Sequence, residues 1–316
     1  MSVRTLRIGV VLSPRSRYLR RHPAAIGRLH TLLGDRGLVA ESQDLDHIKR
    51  VAADFRAGGV DLVAVAGGDG TAGITIGAFH DVYGDAMPPF AMLRGGTMNT
   101  VSNALHLPRG TPEKNLARLL ARTADGVLPP SVLRATLKAD NRVGFLFGTG
   151  VFQSFLREYY KRGNNDPSAA TAAETICFMA ASAVVQGPLI KSLAATTTMT
   201  LDVDGRHFPA TPYMAVTAGT VEQVGLGFTP FYLADRFRGA FHMLALTGAP
   251  SKVVRELPRV WLGLPLKPEN ATSLVARRAV LSCPDGPIDY MVDGDIYTVN
   301  GRPLVVETGP SVRIVM

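Results

Sequence analysis

Apolar residues recur along the chain in two rhythms. Up to about residue 125, short apolar runs alternate with longer stretches patterned at helical spacing. The runs "LRIGVVLS", "VDLVAVAGG" and "PFAMLRGG" read as buried strands. Helical spacing marks "HPAAIGRLHTLLGDRG", closed by Gly37, and "LDHIKRVAADFRAGG", closed by Gly58 and Gly59. It continues in "TAGITIGAFHDV", "NTVSNALHL" and "TPEKNLARLLARTADG", the last with Thr111 as N-cap and Pro112 at the first helical position. Alternating strands and helices predict a three-layer α/β domain with a mainly parallel sheet.

From about residue 128 the rhythm shortens. "PPSVLRATLKADNRVGFLFGTG" alternates like strands, and Asp204-Gly205, Asp293-Gly294 and Asn300-Gly301 are dipeptides that favour two-residue hairpins. Between the β segments lies "PSAATAAETICFMAASAVVQGPLIKSL", a helical stretch of small and apolar residues. It reads as a core helix or as one wall of an apolar ligand groove. Glu174, Gln186 and the Gly187-Pro188 break speak against a membrane span. Two domains are therefore expected: an α/β domain over residues 1–127 and a β-rich, sandwich-like domain over 128–316, whose tail packs back on the first.

Composition adds a core and a charge. In 316 residues, 46% are hydrophobic and 19% charged, which suits a soluble globular protein. The formal charge of +8 includes Arg4, Arg7, Arg15, Arg17, Arg20 and Arg21 near the start, so anionic partners are favoured. No zinc-ligand spacing, recognition helix or aromatic-interleaved basic cluster supports nucleic acid as that partner. Cys177 and Cys283 stand in no metal or redox spacing, and the first apolar run is too short for a secretory signal. A cytoplasmic location is expected.

Chemistry concentrates where strands end. "VAGGDGTAG" drops from a buried strand into Gly67, Gly68, Asp69, Gly70 and Thr71; "AMLRGGTMNT" does the same through Arg94, Gly95, Gly96, Thr97 and Asn99. Glycines let a ligand approach the backbone, and the following helix start offers N–H groups to an anion such as phosphate. Asp69 would repel that anion unless a divalent cation such as magnesium lies between them. A tight turn with Asp69 as a helix N-cap is the other reading. Two such loops after neighbouring strands describe a ligand crevice at the carboxyl edge of a parallel sheet. Neither loop has the Walker A ending or the dinucleotide Gly-x-Gly-x-x-Gly pattern.

Gly-Gly-Asp-Gly-Thr after a buried strand resembles the nucleotide loop of the diacylglycerol kinase catalytic domain, shared by bacterial lipid kinases, sphingosine kinases and ceramide kinases. NAD kinases and phosphofructokinases carry related loops. Three other segments align with the lipid kinases in order and spacing over essentially the whole chain. "LSPRSRY" stands where they have Asn-Pro-x-Ser-Gly, "RGGTMNT" where they have Pro-x-Gly-Thr-x-Asn-Asp, and Asp293-Gly294-Asp295 where they have Asp-Gly-Glu. The Asn-Glu and Thr-Pro-Thr-Gly-Ser segments of NAD kinases are not found.

The resemblance implies an ATP-dependent lipid kinase that transfers the γ-phosphoryl group to a hydroxyl of a diacylglycerol-, sphingoid- or related lipid. Gly67, Gly68, Asp69, Gly70 and Thr71 would hold the nucleotide phosphates, with Asp69 organising catalytic Mg²⁺ through them. Gly96, Thr97 and Asn99 would join from the second loop, Ser13, Pro14, Arg15, Ser16 and Arg17 would border the nucleotide, and Ser42 falls near a family threonine. Asp293 and Asp295 would supply the base for the lipid hydroxyl, unless Asp293-Gly294 is simply a hairpin turn. A lipid acceptor also implies peripheral contact with an anionic membrane; the oligomeric state stays open, a homodimer included.

This chain departs from the family at four places. Thr100 replaces a loop aspartate, residues 126–139 hold no network carboxylate, and Asp295 is a methylene shorter than glutamate. Arg238-Gly239 replaces an Asp-Gly pair that helps bind a structural magnesium, so no such ion is expected there. These losses keep two alternatives in view: a nucleotide- and lipid-binding regulatory protein without turnover, and a kinase for a soluble alcohol.

Overall fold

A computed structural model describes residues 5–164, 168–185, 195–234, 236–284 and 286–316. Arg4 and the Gln186 to Pro188 break lie outside the described residues. The chain divides into two compact units, Met1–Arg134 with Pro310–Met316, and Ala135–Gly309.

In the first unit the strands β1 (Ile8–Leu12), β2 (Gly37–Glu41), β3 (Leu62–Ala66) and β4 (Phe90–Met92) pair in parallel in the order β2-β1-β3-β4. The C-terminal segment runs parallel beside β4, with Ile314 opposite Phe90. Both β1 and β3 are buried throughout, as continuous apolar runs require when helices cover both faces of a sheet. Five helices concern the argument: α1 (Arg17–Arg21), α2 (Ala24–Leu33), α3 (Leu45–Ala57), α4 (Asp69–Tyr83) and α5 (Thr100–Ala104). In α3 the spacing is plain: Ile48, Val51, Ala52 and Phe55 are buried, and Asp44 caps the start by accepting the His47 N–H at 2.7 Å. Thr111 accepts the Lys114 N–H ahead of helix Pro112–Arg122, as its spacing predicts.

Three local expectations change. The helix expected to run to Gly37 ends at Leu33 with Gly34 as its C-cap, and Gly37 instead opens β2. The reason is contact: a Cβ at residue 37 would lie 1.8 Å from the Ile8 carbonyl oxygen, so glycine is what lets β2 pair with β1 there. The helix expected over residues 99–107 is the single turn and a half of α5, and α1 was not anticipated.

The second unit is β-rich. Strands Phe241–Leu246 and Ala271–Ala276 extend an antiparallel six-stranded sheet that also contains Leu146–Thr149, Ala215–Gly219, Ile288–Val292 and Asp295–Val299. A second antiparallel set joins Thr197–Val203, Arg206–Tyr213 and Arg278–Ser282 with the start of Leu304–Val315. One core draws on both: Leu201, Leu281 and Val306 pack with Phe147, Val216 and Tyr290. Asp204-Gly205 and Asp293-Gly294 both form two-residue hairpin turns. Asn300-Gly301 does not, because the strand after it pairs with Arg278–Ser282 rather than with the strand before it. The small-residue helix spans Ala169–Val185. Among the described residues no helix is long and apolar enough to cross a membrane.

Among the described residues of this unit, one titratable group is fully buried. His242 has no exposed surface, and its Nε2 lies 2.8 Å from Ser273 Oγ. Burial pushes its pKa from 6.5 down to about 4. A depressed histidine favours folding above the unfolded pKa, and that contribution is lost as protons bind the unfolded chain preferentially. Stability should therefore fall as pH drops from about 6.5 to about 4, by an amount on the order of a few kcal/mol. Thermal midpoints across that window should decline more steeply for the wild type than for His242→Gln; equal slopes would show that another group governs the acid transition.

Candidate active site

The register of the parallel strands brings four loop starts to one edge. Leu12 lies opposite both Glu41 and Ala66, and Val65 opposite Met92, so Ser13, Ser42, Gly67 and the Leu93-Arg94 pair emerge together. Backbone bonds continue the ladder past the strand ends: Ser13 N–H to Ala66 O at 3.0 Å, Ser42 N–H to Leu12 O at 2.6 Å, and Leu93 N–H to Val65 O at 2.9 Å. Because β2 lies on one side of β1 and β3 on the other, the chain reverses its winding between β1 and β3. Open α/β sheets bind ligands at such a switch point. The loops flanking it are residues 13–17 and 67–71.

In the first of these, Ser13 is buried and accepts the Ser16 N–H at 2.9 Å, Pro14 is partly covered, and Arg15 is exposed. Arg17 opens α1. Ser16 stands before α1 without capping it, and its buried hydroxyl has no hydrogen-bond partner. An orphaned hydroxyl at a switch point is what an incoming ligand oxygen would satisfy.

The two glycine loops touch each other. Gly95 N–H donates to Gly67 O at 2.8 Å, and a Cβ on Gly96 would stand 2.5 Å from Gly68 Cα. A Cβ on Gly95 would stand 3.0 Å from Gly67 N and 3.1 Å from Ser16 Oγ. A Cβ on Gly67 would strike the Thr71 side chain at 2.5 Å. The missing side chains thus let loop meet loop, in addition to leaving the backbone open to a ligand. Gly70 and Thr71 belong to the first turn of α4. Asn99, in the left-handed region at φ 49°, closes the second loop: its Oδ1 accepts the Gly96 N–H and its Nδ2 donates to Gly96 O. Thr97 is half-buried within the loop so closed.

Asp69 has a task the sequence did not disclose. It is neither a cap for its own helix, where Gly68 holds that position, nor free to face a ligand with both oxygens. Its carboxylate accepts the Thr100 N–H at 2.8 Å and the Val101 N–H at 3.1 Å, which are the opening donors of α5. Enclosure raises its pKa; those bonds and the Arg94 charge oppose the rise. Arg94, itself at φ 63°, donates to Ser102 O, Leu107 O and Asn103 Oδ1 around the other end of α5.

The donor set does not fit a resident magnesium. Both Asp69 oxygens face N–H groups, and among the described residues no three His, Cys, Asp or Glu side chains converge as ligands. Magnesium organised by Asp69 through nucleotide phosphates would share oxygens that already accept N–H groups.

In the second unit Asp293 and Asp295 divide sharply. Asp293 and Gly294 are the two turn residues between Ile288–Val292 and Asp295–Val299, at φ 49° and 96°. The Asp293 carboxylate accepts the N–H groups of Phe145 and Leu146 at 2.9–3.1 Å, and its own N–H donates to Leu146 O. It fastens the hairpin to the neighbouring strand. The Asp295 carboxylate makes no hydrogen bond or ion pair among the described residues. Its side chain reaches solvent, yet packing around it raises its pKa, opposed by the nearby Arg142 charge. Three residues gather there that sequence reasoning did not single out. Tyr297 shares a strand face with Asp295, and burial reinforced by that carboxylate pushes its pKa up to about 12. Arg142 lies 4.7 Å over the Tyr297 ring, and burial and Asp295 likewise raise Tyr160, whose hydroxyl points at Gly294 O. Tyr297 was recoverable from its i+2 spacing; Tyr160 and Arg142 carry no sequence signal.

Arg238 lines a cavity of about 640 Å³ with Arg236, Phe237, Arg277 and Asp204. The Asp204 carboxylate is occupied by the N–H groups of Arg277 and Arg278 at 2.8–3.2 Å.

This is the fold of lipid and NAD kinases. A Bacillus anthracis str. Sterne protein provisionally assigned as a diacylglycerol kinase is 16% identical with a TM-score of 0.67, over 99% of this chain and 97% of that one. A diacylglycerol kinase structure from the same organism is 15% identical at TM-score 0.61, with the same coverage. Yeast NADH kinase, solved with NADH, is 12% identical at TM-score 0.50, over 99% of this chain and 84% of that one. No curated protein sequence matches the chain. Residues 8–127 match the model of the diacylglycerol kinase catalytic domain.

The loop contact gives a direct test. Gly96→Ala should force the loops apart, costing about 1–3 kcal/mol and weakening ATP binding in calorimetry. Gly27→Ala, in α2 with nothing within 4 Å of its added Cβ, should leave both unchanged or slightly improve stability. Unchanged ATP affinity in Gly96→Ala would separate the loop contact from nucleotide binding.

Proposed function

We propose that the protein is an ATP-dependent kinase that phosphorylates a hydroxyl of a lipid-like acceptor. The observation that carries the reading is the pair of abutting glycine loops at the switch point, inside a diacylglycerol kinase catalytic domain. In this reading Ser16, Gly67, Gly68, Gly70, Thr71, Gly96 and Thr97 receive the phosphates, and Ser13, Pro14, Arg15, Arg17 and Ser42 border the nucleotide. Magnesium enters as part of the MgATP substrate. Asp69 and Asn99 shape the loops rather than react.

Phosphoryl transfer needs the acceptor proton taken as the bond to phosphorus forms. Asp295 suits that role, because its carboxylate is unoccupied and burial makes it a stronger base than an ordinary aspartate. Arg142 favours its ionised form. Asp293 is a positioning residue that holds the turn on which Asp295 stands. Peripheral contact with an anionic membrane belongs to the same reading.

A second reading has its own support: Asp69 and Asp293 both spend their carboxylates on backbone donors, as expected of a nucleotide-binding protein without turnover. Transfer of radiolabelled phosphate from ATP to a total lipid extract separates the two. Asp295→Asn should lower kcat about 10²- to 10⁴-fold with ATP affinity and thermal midpoint retained. Asp293→Asn should instead lose about 1–3 kcal/mol of stability. ATP binding without magnesium-dependent consumption by the wild type, over a panel of lipids, would select the second reading. Full activity in Asp295→Asn would remove it as the base.

A further inference from the structure

The strand Phe241–Leu246 and its partner Ala271–Ala276 are joined by an excursion that closes on itself. Leu246 pairs with Ala271, and the N–H groups of Thr247 and Gly248 both donate to Asn270 O, at 3.0 and 3.1 Å. Buried Glu256 accepts the Lys267 N–H at 2.7 Å and the Asn270 side-chain amide. The Arg259 guanidinium donates twice to Pro265 O at 3.1 Å, and Thr229 holds Val260 O through its N–H and its hydroxyl. Two short helices, Pro250–Arg255 and Leu257–Trp261, so fastened, lead into the turn Trp261-Leu262-Gly263-Leu264, with Gly263 at φ 67°.

This turn displays what a soluble surface normally hides. Trp261 is 59% exposed, Leu262 63% and Leu264 44%, three large apolar side chains within four residues. Scattered exposed leucines are ordinary, but a contiguous set marks an interaction surface. The fastened backbone keeps these side chains from folding inward.

Charge selects the occupant. Lys252, Arg255 and Lys267 are exposed within the same excursion, and none of their side chains makes a hydrogen bond or ion pair among the described residues. Glu269 is the exposed acid of the excursion. Exposed tryptophan and leucine in one excursion with exposed, unpaired cations match the boundary of an anionic bilayer, where indole sits at headgroup level and cations meet lipid phosphates and carboxylates. A second copy of a chain of net charge +8 would bring like-charged rims together.

We propose that the Trp261–Leu264 turn is a membrane anchor that seats its three apolar side chains in the interface of an anionic bilayer. The inference rests on the excursion itself and needs no phosphoryl transfer; it adds a docking surface to the lipid-kinase reading.

Trp261 is the chain's single tryptophan, so the full-length protein reports directly on this turn. With vesicles of equimolar phosphatidylcholine and phosphatidylserine and no ATP, its emission should shift to the blue and be quenched by lipids brominated in the acyl chain. Leu262→Ser combined with Leu264→Ser should weaken partitioning about tenfold or more, with an unchanged circular-dichroism melt. Lys252→Gln and Arg255→Gln should each weaken it roughly fivefold, and only on the anionic vesicles. Unshifted emission at saturating lipid would overturn the proposal, as would a double-serine variant that partitions like wild type. So would sedimentation showing a lipid-free dimer that this variant dissociates. Because ATP is absent, failure here leaves the kinase reading intact, and failure of lipid phosphorylation leaves the anchor intact.

Discussion

The geometry of the first unit depends on one carboxylate placed between two loops. Asp69 opens α4 and at the same time accepts the first two N–H groups of α5, so the end of β3 and the end of β4 are tied through a charged bond. A helix of five residues is far below the roughly 12–15 needed for persistence alone, so α5 exists because its ends are held. Asp69 holds the positive end of its dipole, and Arg94 holds the Ser102 carbonyl near the negative end together with the Leu107 carbonyl just beyond, each contact of the kind worth about 0.5–2 kcal/mol. The glycine contacts between the loops follow, since Gly68 and Gly96 meet only if these ends stay together. Burial raises the Asp69 pKa, so ionising it in place works against folding, and the two N–H donors and Arg94 oppose that cost in part.

That arrangement explains which parts of the molecule were legible beforehand. Periodicity located β1, β3, β4 and α3 because each has a single buried face or is buried on both, and burial is what hydrophobic pattern encodes. It missed β2, whose residues are mostly half-buried and whose first position is glycine for a reason visible only across the sheet, in the Ile8 carbonyl. It read Asp204-Gly205 and Asp293-Gly294 as hairpins from local conformational preference, and misread Asn300-Gly301 because strand partnership is decided by distant residues.

The candidate site was legible as a set of positions and not as a set of roles. A glycine-flanked aspartate has the same sequence whether it faces a metal, a phosphate or a backbone N–H. Here Asp69 and Asp293 both face backbone donors, and the glycines beside them serve close packing: Gly96 against Gly68, and Gly144, whose Cβ would lie 2.6 Å from Asp293 Oδ2. Order and spacing could point to these residues, but only contacts assign their work.

Asp295 is left with its carboxylate uncommitted, and its surroundings give that a consequence. Tyr160 and Tyr297 lie near it, and packing around each of the three groups raises its pKa, although the Asp295 side chain still reaches solvent. The Arg142 guanidinium, stacked on the Tyr297 ring, supplies the opposing charge. The two effects oppose each other with the pKa left above the usual aspartate value, and the carboxylate is available to a proton without first breaking a hydrogen bond. Asp293, only two residues away, could not serve in the same way: to accept a proton it would have to release the Phe145 and Leu146 N–H groups and the hairpin they hold.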